Sequence, residues 1–165
     1  MAAIGAGVRA PEISLSSLNG TSFELKQALK RGPVVAAFFK VSCPVCQMAF
    51  PYVERLFQAY GKSGKLTLLG VSQDNPADTK AFNREFGITF PVLIDAEGYP
   101  VSKAYGLTNV TTIFLLSGDG EIERTLVSWC KAEMEDINRK LAEISGVKPA
   151  ELFRASEKVV EFRPG

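Results

Sequence analysis

Val34-Val35-Ala36-Ala37-Phe38-Phe39-Lys40-Val41-Ser42-Cys43-Pro44-Val45-Cys46 is the stretch that decides the fold. Its first six residues are all apolar, the pattern of a strand buried on both faces. Beyond it, Val45, Met48, Ala49, Tyr52, Val53, Leu56, Phe57 and Tyr60 recur at steps of three and four, as on a helix with one apolar side. The two cysteines therefore stand where a central strand hands over to a helix. Cys43 falls at the N-cap, and Pro44 at the first helical position, where a missing N–H is harmless. Pro51 lies inside the same helix and is expected to kink it.

That placement has chemical consequences. The first N–H groups of a helix have no intrahelical partner and can point at a sulfur on the N-cap. The positive end of the helix dipole favours a thiolate there. Cys46 is three residues on, on the same face of the first turn, within reach of a disulfide. A thiolate with a second thiol beside it attacks a substrate disulfide and is then released by its neighbour. The competing use of such a pair is a zinc or iron–sulfur half-site, which needs four ligands. The chain has no histidine and one further cysteine, Cys130, so a monomer cannot supply them, although a dimer pooling two pairs could. The strand–motif–helix context favours redox chemistry, with no metal and no cofactor.

At 165 residues the chain is expected to form one domain, burying roughly 70% of the unfolded chain's surface. Nineteen basic and 18 acidic residues give a net charge of +1 without a block of one sign, which suggests neither nucleic acid nor an anionic membrane as partner. No apolar run approaches the ~20 residues of a membrane span. The first residues lack a basic stretch ahead of a long apolar one, so they do not read as a signal peptide, and a cytoplasmic setting is expected. Three cysteines, two in one short motif, suggest a redox site rather than a disulfide-stapled fold.

Along the chain, Ile13 and Leu15 alternate with serines, Asn19-Gly20 follows, then Phe23 and Leu25, which predicts an N-terminal β-hairpin. Residues 26–30 predict a helical turn, broken by Gly32-Pro33. The motif helix should end near Gly61 or Gly64. Residues 66–72 read as a second buried strand. Asn75-Pro76 caps a helix that stops at Gly87. Residues 90–95 make a short strand and 101–105 a short helix. Residues 112–116 and 122–127 flank the turn Gly118-Asp119-Gly120, as an antiparallel pair. A last helix carries Met134, Ile137, Leu141 and Ile144 on one stripe and ends at Gly146. This order implies an α/β fold with a mixed sheet and helices on both faces. Residues 147–165 form a C-terminal tail outside the core of 11–146. Its Val159, Val160 and Phe162 are apolar enough to pack on the body, with a dimer contact as the other use.

The chain resembles the thioredoxin superfamily, and within it the redoxin branch of TlpA-like and ResA-like thiol–disulfide oxidoreductases, neighbouring the AhpC/TSA peroxiredoxins. The likeness rests on Pro11-x-Ile13-x-Leu15 with Gly20 and Leu25, on Cys43-Pro44-Val45-Cys46, and on Pro51. It continues through Gly70-Val71-Ser72-Gln73-Asp74, Phe90-Pro91-Val92-Leu93-Ile94-Asp95 and Phe114-Leu115-Leu116 before Asp119-Gly120. It implies a thioredoxin-like fold, Cys43 as the attacking thiol, Cys46 as the resolving thiol, and a redox-active disulfide between them. The partners it implies are a disulfide-containing protein and a thiol or reductase as electron donor, for a monomer or weak homodimer.

Three departures from the family stand out. Relatives carry a cis-proline before the strand that faces the cysteines; here that place falls on Thr111, after Val110. A non-proline cis bond costs about 2.5–4 kcal/mol, so Thr111 is expected to be trans. Many thioredoxins have an aspartate six residues before the first cysteine, where this chain has Ala37. The aromatic residue often found before that cysteine is Ser42, and Phe39 replaces a familiar tryptophan by bulk. Phe39, Lys40, Ser42, Pro44, Val45, Val110 and Thr111 are thus expected to shape the site. For Lys40, a solvated strand-end lysine is favoured over an ammonium that stabilises the thiolate.

The alternative functions are a peroxiredoxin-like thiol peroxidase and a redox-set binding module. Peroxiredoxins have a proline and a threonine seven and three residues before the peroxidatic cysteine. Those places hold Ala36 and Lys40 for Cys43, and Phe39 and Cys43 for Cys46. Their arginine aligns near Thr111. Copper delivery and general-base catalysis both call for a histidine the chain lacks. Cys130 reads as a small, half-buried residue at a helix N-cap, with a second resolving thiol as the other use. Gln73 and Asp74 end a central strand, either on the rim of the site or simply in the loop before Asn75.

Overall fold

The structure is a computed structural model that describes residues 3–165. The chain opens with the hairpin β1 (Ser14–Ser16) and β2 (Ser22–Glu24), closed through Asn19 and Gly20, and runs into a short helix α1 (Leu25–Leu29). Then come β3 (Val34–Phe39), α2 (Pro44–Leu56), β4 (Thr67–Ser72), α3 (Pro76–Phe86) and β5 (Val92–Ile94). Helix α4 (Pro100–Ala104), β6 (Thr112–Leu116), β7 (Ile122–Val127), β8 (Trp129–Cys130), α5 (Lys131–Ser145) and β9 (Phe162–Arg163) complete it.

The main sheet has strand order β5-β4-β3-β6-β7. The β3–β4 and β4–β5 pairs are parallel; β3–β6 and β6–β7 are antiparallel. The sheet is therefore mixed, with β3 at its centre, as the thioredoxin-like reading requires. Every residue of β3 is buried, and its side chains alternate between two apolar clusters. Val35, Ala37 and Phe39 face one cluster, with the inner sides of α2 and α5 and with Phe82 of α3. Val34, Ala36 and Phe38 face the other, with Ile13, α1, Val101 and Tyr105.

Helix α2 runs through Pro51 without interruption and relaxes into a π-helical turn over Phe57–Gly61. Asn75 caps α3 by accepting from the Asp78 N–H at 2.8 Å, and Gly87 ends it in the left-handed region at φ 69°. Among the described residues, no helix is long and apolar enough to cross a membrane.

Residues 147–165 fold back over the body. Leu152 is buried, and Val159 packs against the α2–α5 cluster. Beyond it, β9 pairs antiparallel with β8, Trp129 opposite Arg163 and Cys130 opposite Phe162. Val160 and Phe162 remain 47% and 61% exposed, so of Val159, Val160 and Phe162, the three expected to pack, only Val159 does.

Candidate active site

Strand β3 ends at Phe39, and after three intervening residues Cys43 occupies the N-cap of α2 in an extended conformation. The Cys46 N–H donates to the Cys43 Sγ at 3.4 Å, so the first turn of the helix aims an otherwise unpartnered donor at the sulfur. Pro44 sits in that turn and is exposed. Cys43 is half-buried, whereas Cys46 and Val45 turn into the α2 side of the core. The Cys43 Sγ–H donates to the Val110 carbonyl at 3.4 Å, which brings the β6 approach loop against the dithiol.

The loop that presents Cys43 is held from both sides. Asp74, just past the end of β4, accepts from the Val41 N–H at 2.8 Å. Gln47, on the first turn of α2, donates its Nε2 to the Val41 carbonyl at 2.9 Å. The Cys43 N–H reaches the Lys40 carbonyl at 3.1 Å, and the Gln73 N–H the Phe39 carbonyl at 3.1 Å. Neither Gln47 nor the use of Asp74 as an acceptor was visible in the sequence. The one signal was that Gln73-Asp74 ends a central strand beside the motif.

The two thiols differ electrostatically. Burial, first of all, pushes the Cys46 thiol well above the usual cysteine range. Hydrogen bonding and charge from the adjacent Cys43 sulfur act in the same direction, while a backbone hydrogen bond from Lys40 works against them. Cys46 therefore waits as a protonated thiol. Once Cys43 is tied up in a disulfide, its charge is gone and one cause of that upward shift goes with it.

Val110–Thr111 is a cis peptide, so the expectation of a trans bond at Thr111 is corrected. That expectation weighed the intrinsic preference of an isolated peptide. Here contacts remote in sequence define the backbone on both sides of the bond. The Thr111 hydroxyl donates to the Phe38 carbonyl at 3.0 Å, and the Ser128 N–H donates to the Thr111 carbonyl at 2.9 Å. Thr111 is buried, and Val110 presents its carbonyl to Cys43.

Phe39 is fully buried beneath α2, its ring 4.3 Å from that of Phe50 and 4.9 Å from that of Phe82. Lys40 and Ser42 are exposed; Lys40 contributes its backbone to the loop. Ala37 faces the α2 side of the core, so no carboxylate stands at that place. Cys130 is half-buried at the N-cap of α5, where its side chain makes no capping hydrogen bond. The segment around β9 also reaches the rim of the site. Arg163 Nη1 lies 4.0 Å from the Met48 Sδ on α2, and Asn109, next to Val110, donates to the Gly165 carbonyl at 2.9 Å.

The chain is similar to known proteins in sequence and in fold. The model of the AhpC/TSA family matches residues 6–125. The thiol-disulfide oxidoreductase ResA of Geobacillus thermodenitrificans is 31% identical over 143 residues, spanning 86% of this chain and 79% of the relative. The ResA protein of Halalkalibacterium halodurans is 33% identical over 118 residues, spanning 71% and 65%. In fold, the chain is similar to a putative protein disulfide isomerase from Bacteroides thetaiotaomicron. That match has a TM-score of 0.78 at 21% identity and covers 88% of this chain and 95% of the other. It is also similar to a putative thiol:disulfide interchange protein DsbE from Chlorobium tepidum, with a TM-score of 0.75 at 22% identity over 87% and 99%.

Proposed function

The chain belongs to the AhpC/TSA family and is a thiol–disulfide oxidoreductase, and we propose that its electrons pass through Cys43 and Cys46 in fixed roles. The observation that carries the assignment is the difference between the two sulfurs. Cys43 is half-buried at the N-terminus of α2, with the Cys46 N–H on its sulfur, while Cys46 is fully buried behind it.

The Cys43 thiolate attacks one sulfur of a substrate disulfide. A bond forms between Cys43 and that sulfur, the substrate S–S bond breaks, and the departing thiolate takes a proton from solvent. Forming the mixed disulfide removes the Cys43 charge that helps keep Cys46 protonated. Cys46 then loses its proton to solvent and attacks the Cys43 sulfur. The second substrate thiolate leaves, and a Cys43–Cys46 disulfide remains. The substrate has gained two electrons and the dithiol has lost two. Its substrate is a disulfide-bearing protein, and its electron donor a thiol or a reductase.

Cys43→Ala is expected to abolish exchange, and Cys46→Ala to accumulate a mixed disulfide that can be isolated on a non-reducing gel. A Cys43→Ala protein with the wild-type rate would refute the assignment. The direction of flow is read from the reduction potential of the pair. A value at or below roughly −270 mV describes a reductant, and one near roughly −120 mV an oxidant.

A further inference from the structure

Among the remaining features, the segment that carries β9 stands out, because its Gly165 lies against the carbonyl oxygen that the reactive sulfur touches. Gly165 packs on the Val110 carbonyl so closely that a Cβ there would collide with it. The Gly165 N–H donates to the Ser128 hydroxyl at 3.0 Å, and its carbonyl accepts from Asn109 at 2.9 Å. Upstream, the Trp129 indole N–H donates to the Val160 carbonyl at 2.7 Å, and the Lys131 N–H to the Glu161 carbonyl at 2.9 Å. Arg163 reaches across to Met48 on α2. The segment thus spans from the helix that carries Cys43 to the loop that carries Val110.

We propose that residues 159–165 are a specificity strap. It lies over the Val110 edge of the dithiol site and selects which disulfides reach Cys43. With the strap seated, Cys43 is still half-buried rather than closed off, so a small disulfide with no chain on either side reaches the sulfur. A protein disulfide brings polypeptide on both sides of its cysteine. On the Val110 side, that polypeptide meets backbone already packed there, and the strap must give way. Its attachments suit this task. Near the sulfur they are hydrogen bonds and a glycine contact, with no buried ion pair. The strap deepens the exchange reaction proposed above and rests on it.

The test uses two variants that act by different routes and leave both thiols in place. Asn109→Ala removes a hydrogen bond to Gly165; Gly165→Ala inserts a methyl against the Val110 carbonyl. Rates of reduction are compared for insulin, a protein disulfide, and bis(2-hydroxyethyl) disulfide, a small one. Losing one hydrogen bond shifts a closed-to-open equilibrium by about fivefold. The expected result is a rise of about that size with insulin, and little change with the small disulfide, in both variants. Trp129, the single tryptophan, reports release of the strap by its fluorescence. An unchanged ratio of the two rates in both variants, or a fall with insulin, would overturn the strap. A wild-type protein inactive on both disulfides would instead defeat the exchange reaction itself.

Discussion

Cys46 enters the core of the reduced protein as a neutral thiol, and its stability should follow pH accordingly. Burial raises its folded pKa above that of the unfolded chain, so the native state holds the proton longer. The stability linked to this group is complete below the unfolded thiol value, near 8.5, and declines as pH rises above it, at up to about 1.4 kcal/mol per pH unit. Tyr105 adds a loss of the same sign above about pH 10. Its hydroxyl donates to the Pro11 carbonyl at 2.6 Å, and burial first, then the charge of Glu12, raises its pKa. Urea unfolding of the reduced protein at about pH 8 and about pH 9.5 separates the two groups. Wild type should lose more stability across that interval than Cys46→Ala; equal losses would show that Cys46 titrates alike in both states. At this scale the motif was readable, because spacing alone puts both sulfurs on one helical turn. The Val110 carbonyl was not, because its contact with Cys43 joins residues 67 apart.

Between β3 and α2, three exposed or half-exposed residues carry the chain to Cys43, and neighbouring elements hold them in place. The acceptor is Asp74 at the end of β4; the donor is Gln47 on α2. Asp74→Ala leaves the part-buried Val41 N–H without its partner, a loss of about 1–3 kcal/mol. If that loosens the loop, attack by Cys43 on bis(2-hydroxyethyl) disulfide should slow by about tenfold, as followed by stopped flow. Asp74→Asn keeps an acceptor oxygen and should retain most of the rate. A wild-type rate in Asp74→Ala would mean that Gln47 and the Cys43–Lys40 turn suffice. The elements themselves were largely apparent from pattern. The bounds of β3 and β6 follow runs of mostly apolar residues, β7 follows the turn Gly118-Asp119-Gly120, and α3 follows Asn75-Pro76 and Gly87. The short strand β5 covers only half of the stretch 90–95, because just Val92, Leu93 and Ile94 pair with β4. Hydropathy shows what is buried, whereas a strand's length is set by its partner.

Across the whole molecule, residues 147–165 tie α2, α5 and the rim of the dithiol together through contacts no local pattern reveals. The Tyr60 hydroxyl donates to Asn138 and accepts from the Ala150 N–H, and the Asn138 amide reaches the Ala150 carbonyl. Arg55 on α2 donates to the Leu152 carbonyl and grips both oxygens of Glu157, at 2.7 and 2.6 Å. Those partners stand about a hundred positions apart, which is why the segment read only as a C-terminal tail with a few apolar residues able to pack. The same clamp makes its attachment sensitive to acid. Hydrogen bonding from Arg55, then from the Arg154 N–H, holds the Glu157 carboxyl at about 2, against 4.5 when free. A group whose folded pKa is lowered contributes fully above its free value and loses that contribution as pH falls through the folded one. Attachment of the segment should thus weaken between about pH 4.5 and about pH 2. Glu157 is close to solvent, so added salt should reduce the effect. Trp129 fluorescence reads the Val160 end of the segment, and near-ultraviolet circular dichroism reads the aromatic core around Phe39, Phe50 and Phe82. On acid titration the fluorescence should change ahead of the core signal in wild type, and the lead should shrink in Glu157→Gln. Other carboxyls with lowered pKa, such as Asp119 beside Ser117, titrate in both proteins and cancel from the comparison. If the two curves coincide in wild type, or the variant keeps the full lead, the Arg55–Glu157 clamp does not govern how the segment is held.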